Sequence, residues 1–102
     1  MKITIALFMM LSLPSIAAAA NPGKVLFASK CTLCHGADGT GKTAVGKNLK
    51  IPDLHSTDVQ KKSDADLKTI ITDGKNKMPA FKGKLSDAQI DQAISYIREL
   101  GK

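Results

Sequence analysis

The sequence predicts a small all-α domain, and three observations carry that expectation. No window alternates apolar and polar residues with the period of two that a strand requires. Three stretches open with helix-capping residues. Inside them the apolar residues recur every three to four positions. The chain has 102 residues, enough for one domain at most.

Residues 1–20 differ in character from the rest. Lys2 supplies a positive start, an apolar run from Ile3 to Leu13 follows, and Ala17 to Ala20 precede Asn21. A charged start, an apolar centre and small residues before a cut describe a secretory signal peptide. We therefore expect cleavage between Ala20 and Asn21, export to the periplasm, and a domain over residues 21–102. An uncleaved leader would instead tether the protein to a membrane.

The first helix is expected from Pro22 to Leu33, with Asn21 as its cap and Pro22 in the first helical position. Gly23, Phe27 and Cys31 lie four apart on one of its faces. Residues 36–62 read as mostly irregular: Gly36, Gly39, Gly41 and Gly46 mark turns, Pro52 interrupts regular structure, and a short helical turn fits Thr43 to Leu49. A loop that long in so small a domain implies that it wraps something. The second helix runs from Asp64 to Asp73, capped by Ser63, with Leu67, Ile70 and Ile71 as its buried stripe and Gly74 closing it. The third begins after Ser86, which forms a capping box with Gln89. Ile90, Ala93, Ile94, Ile97 and Leu100 make its apolar stripe, and Gly101 ends it.

The core these helices can build is thin. Beyond the leader the aromatic residues are Phe27, Phe81 and Tyr96, with no Trp. Small exported domains ordinarily compensate with several disulfides, yet there are only two cysteines. A large bound group would fill the interior. Charge narrows the partners: fifteen Lys and Arg oppose nine Asp and Glu, and cleavage removes Lys2 alone among these. The lysines are dispersed and not interleaved with aromatics, which argues against nucleic acid. A basic surface suits salt-sensitive docking to acidic proteins.

Cys31-Thr32-Leu33-Cys34-His35 is the Cys-X-X-Cys-His pattern of c-type haem attachment. Two thiols three apart share one side of a helical turn and can each add to one haem vinyl group. The next residue, His35, is then carried to the iron. A thioredoxin-like dithiol would need a βαβ setting, and a zinc site about four ligands, where this domain has two Cys and two His. For the second axial position, Met1, Met9 and Met10 fall in the leader, so Met78 is the thioether that remains. Pro79 pushes it out of helical geometry onto a loop. His55 is the rival ligand, and an open or lysine-bound position is the third possibility.

With His35 and Met78 both bound, iron is closed to substrates and held alike in both oxidation states. That describes a one-electron carrier between larger redox partners, not an enzyme. An enzyme or sensor with an open sixth site, and a haem subunit tethered to a membrane complex, are the alternatives.

On these residues the chain resembles the class I cytochrome c family, particularly small bacterial, algal and cyanobacterial monohaem forms, over most of residues 22–101. Cys31, Cys34 and His35 match the attachment motif, and Met78-Pro79-Ala80-Phe81 the distal-ligand segment. The resemblance implies three main helices and loops wrapped around one covalently bound haem c, in a monomer. It implies packing of Gly23 and Phe27 against the last helix, with Tyr96 as aromatic partner. It also implies a proline carbonyl that accepts the proton of the proximal imidazole, for which Pro52 is the candidate. Leu49 and Leu54 are expected to line the pocket. Lys30, Lys42, Lys75, Lys77 and Lys82 are expected around the docking face.

Overall fold

The computed structural model describes residues 2–4, 6 and 21–102. The signal peptide expected over residues 1–20 thus lies, apart from those four positions, outside the described residues.

Six helices and no strand make up the described residues. Helix α1, Pro22–Lys30, starts as its sequence dictates: the Asn21 carboxamide oxygen accepts from the amides of Gly23 and Lys24 at 3.0 and 3.3 Å. It ends at Cys31 rather than at Leu33, and the chain restarts as α2, Thr32–His35. The Thr32 hydroxyl donates back to the Ala28 carbonyl, a competition with the helical ladder that bends helices.

The stretch expected to be irregular holds two short helices. Helix α3, Ala44–Leu49, is capped by the Thr43 hydroxyl and lies where the sequence allowed a helical turn. Gly46 falls inside it, so this glycine does not mark a turn. Helix α4, Thr57–Gln60, is capped by Ser56 and was not foreseen, because four residues are too few to show a period.

Helices α5, Asp64–Asp73, and α6, Asp87–Leu100, match their expected bounds. In α6 both halves of the capping box form: Gln89 N donates to Ser86 Oγ at 3.1 Å and Ser86 N to Gln89 Oε1 at 2.8 Å.

Helix α6 is the organising element, packed against α1 on one flank and α5 on another. Gly23 makes the first crossing possible: a Cβ there would strike the backbone carbonyl of Gln92. Phe27 and Ile90 are the most deeply buried large side chains, at 2 and 1% exposure. Leu67 and Ile71 from α5, Val59 from α4 and Leu54 from the loop before it join a core with no buried charge among the described residues. Arg98, near the end of α6, holds the α4–α5 link by donating to the carbonyls of Gln60 and Lys62 and to the Asp64 carboxylate.

Candidate functional site

The cysteine–histidine turn is held from outside by the segment that follows it. The Thr43 hydroxyl donates to the Cys34 carbonyl at 2.9 Å while accepting from Gly46 N at 2.8 Å, so one side chain caps α3 and ties it to α2. Gly41 N donates to the His35 carbonyl at 2.7 Å. Leu54 N donates to the Gly39 carbonyl at 2.8 Å, and Leu54 turns inward, buried. Sequence reasoning missed Thr43 as a site-supporting residue; its one signal was a hydroxyl preceding a short helical stretch.

Met78 comes from the other side. Residues 75–78 form a tight turn in which Lys75 N donates to the Met78 carbonyl at 3.2 Å and Met78 N to the Lys75 carbonyl at 2.9 Å, with Asn76 left-handed at φ +54°. Lys75, Asn76, Lys77 and Pro79 are exposed, whereas Met78 is half-buried and packed against the core. The next residues are pinned to the end of α5: Phe81 N donates to the Ile71 carbonyl at 3.0 Å and Lys82 N to that of Thr72 at 3.1 Å.

These segments converge on one partly open apolar cleft, and apolar walls with a few convergent polar groups are the usual lining of cofactor and ligand sites. Cys31, His35 and Met78 all line it, with Leu54, Leu67 and Phe81 among the apolar walls. Cys34, half-buried on α2, sits beside the cleft without lining it, and Leu49 also lies off its wall.

Two groups are chemically incomplete in the polypeptide alone. His35 Nδ1 is buried without a hydrogen-bond partner, a state that costs about 1–3 kcal/mol. The bond expected from the Pro52 carbonyl is not formed. Hydrogen bonds from the Ile51 amide to the Gly46 carbonyl and from the Leu54 amide to the Gly39 carbonyl draw the 51–54 segment onto the preceding loop, and the Pro52 carbonyl lies beside Gly41. Burial holds the His35 imidazole below its ordinary value, so it is neutral at neutral pH, the form that binds metals. The Cys31 thiol is pushed up to about 11 by burial and, secondarily, by neighbouring Cys34. A half-buried, protonated thiol on the wall of an apolar cleft is chemically consistent with a neutral thioether at the same place. An apolar cleft with a neutral imidazole and a thioether both on its wall fits a haem.

His55 is placed elsewhere. It is exposed, its Nε2 bonds the Asp38 carbonyl, and its amide donates to Asp53 Oδ1 at 2.8 Å. The structure does not bring it to the cleft.

Helical architecture, with an attachment turn and a methionine loop lining one apolar cleft, defines a small class I c-type cytochrome. The family described as "Cytochrome C oxidase, cbb3-type, subunit III" matches residues 18–97, and the chain belongs to that family of c-type cytochromes. It is 38% identical over 91 residues to the cytochrome c6 of Nostoc sp. strain PCC 7120, covering 89% of this chain and 78% of that one. It is 37% identical over 87 residues to a cbb3-type cytochrome c oxidase subunit CcoP of Azospirillum brasilense, covering 83% of this chain and 30% of that subunit. Among solved structures it is similar to the KustC0563 c-type cytochrome, with a TM-score of 0.72 and 29% identity over 78% of this chain and 98% of that one. Membership carries with it covalently bound haem c.

Proposed function

We propose that this protein is a monohaem one-electron carrier in which Cys31 and Cys34 would hold the haem through thioethers and His35 and Met78 would supply the ligands to its iron. The observation that carries the proposal is the convergence of Cys31, His35 and Met78 on one apolar cleft from separate parts of the chain. The haem, when bound, supplies a single reversible one-electron change at its iron.

The chain's own residues set the terms of that change. Apolar walls disfavour the extra positive charge of the oxidised state, and a methionine ligand raises the potential. The α2–α3 clamp through Thr43 fixes the histidine segment. The hydrogen bonds of residues 75–82 fix the methionine segment. With His35 and Met78 both engaged, no position on the iron would be left for a substrate, which supports a carrier rather than an enzyme.

Lys30, Lys42, Lys75, Lys77 and Lys82 are all exposed, which supports docking to acidic faces of larger redox proteins. Residues 1–20 act as a leader removed at Asn21, and the exported domain is a monomer. No helix among the described residues is long and apolar enough to cross a membrane.

A redox titration followed optically, with mass spectrometry of protein from a host competent in cytochrome maturation, tests the proposal. The expected result is one haem added to a chain starting at Asn21, a single one-electron wave, and the thioether-to-iron charge-transfer band of the oxidised form. A colourless protein with the bare polypeptide mass refutes it. The matched family's description and the Azospirillum relative favour a second reading, a haem subunit of a membrane oxidase. Co-elution with a larger complex during gel filtration of native extract decides for that reading.

A further inference from the structure

Where α5 ends, Gly74 has φ +78° and ψ 164°, a combination essentially confined to glycine. Strain alone would make it an ordinary helix-terminating glycine. Its surroundings say more. A Cβ built there would stand 2.7 Å from the Met78 carbonyl oxygen, 3.0 Å from Ala80 N and 3.1 Å from the Pro79 carbonyl carbon. Three backbone atoms of the methionine segment therefore rest on one bare α-carbon. Backbone cannot step aside as a flexible side chain can, and the segment is pinned on both sides of this contact. The paired bonds between Lys75 and Met78 hold one side, and those from Phe81 and Lys82 to α5 hold the other. A methyl group inserted there has one outlet, which is to lift the Met78–Ala80 backbone away from α5.

We propose that Gly74 is the positioning residue for Met78: its missing side chain lets the 78–80 backbone lie flat on the end of α5, and that approach sets how far the Met78 side chain reaches into the cleft. The inference rests on Met78 being an iron ligand.

The molecule supplies its own control. Gly83 has the same φ of +78°, yet a Cβ there meets nothing within 4 Å. Gly83→Ala thus also places an alanine at a positive φ, without displacing the methionine segment. Both variants are made as holoprotein and compared by thermal melting, by the far-red thioether-to-iron band, by carbon monoxide binding to the reduced form, and by midpoint potential. Gly83→Ala is expected to melt earlier with an unchanged band and potential. Gly74→Ala is expected to lose the band, gain carbon monoxide binding and fall in potential while its far-ultraviolet circular dichroism persists. If Gly74→Ala melts earlier but keeps band, potential and resistance to carbon monoxide, the glycine merely ends a helix and the proposal is overturned.

Should Gly74→Ala yield no holoprotein, the unmutated protein decides by NMR. Cross-peaks from the Gly74 α-protons to the Ala80 amide in both oxidation states uphold the contact, and their absence overturns it. A missing far-red band in the unmutated protein would instead refute Met78 ligation, a separate failure.

Discussion

The rings of Phe27 and Tyr96 lie 5.1 Å apart, centroid to centroid, inclined at 58°, which is the tilted geometry aromatic pairs prefer. This contact joins α1 to α6 directly behind the site, because Phe27 also stands 6.3 Å from the His35 ring. One side chain thus serves the helix crossing and the cleft wall together.

Phe27→Ala should therefore be severe. Truncating a phenylalanine this deeply buried costs about 3–5 kcal/mol, and each kcal/mol lowers the melting temperature of so small a domain by about 4–8 °C. Circular dichroism melting of the holoprotein measures it. A shift of only a few degrees would show that the crossing does not depend on this ring.

Met78→Ala and His55→Ala should separate cleanly. The first is expected to abolish the thioether-to-iron band, lower the potential and admit carbon monoxide. The second is expected to leave all three unchanged, since His55 is occupied with the Asp38 carbonyl outside the cleft. Loss of the band in His55→Ala would reopen the choice of ligand.

Asp38 ties the glycine-rich loop to itself. The amide and then the hydroxyl of Thr40, with His55 as a lesser contributor, hold its carboxyl below the usual carboxylate value. A group whose folded value is depressed adds stability above its unfolded value, and that stability is lost as pH falls through the folded one. The melting advantage of the native protein over Asp38→Asn should thus be full at neutral pH and close below about pH 4. A gap that widens on acidification would contradict the assignment.

Arg98 should matter through carbonyls more than through charge. Arg98→Met strands the carbonyls of Gln60 and Lys62, at a cost of about 1–3 kcal/mol. Asp64→Asn removes a largely exposed ion-pair partner and should cost well under about 1 kcal/mol. Urea melts of the two variants check the order, and equal losses would assign the effect to the ion pair.

What the sequence revealed depended on whether a feature was local. Helices α5 and α6 were legible to the residue, because Ser63 and Ser86 cap them and their apolar stripes run long enough to show a period. The Cys31–His35 turn and Met78 were legible because their chemistry lies in residue type. The break at Cys31 was not, since it reflects where one hydroxyl bonds. Helix α4 was too short to announce itself. Pro52 failed as the imidazole's partner because its segment is drawn onto a neighbouring loop, a tertiary pairing with no local signature. Gly74 was visible as a helix stop, but the backbone lying across it becomes visible once the methionine loop has folded back.

The crossing of α1 with α6 has a consequence beyond stability. Asn21 Nδ2 donates to Glu99 Oε2 at 3.4 Å, so the first and last turns of the helical domain emerge side by side. A folding unit whose two ends leave by the same edge can be spliced into a host polypeptide without stretching either junction. Grafting residues 21–102 into an exposed hairpin of an unrelated carrier should give a cassette that still matures with its haem, and the same edge is where a permuted version could be sealed by a short linker.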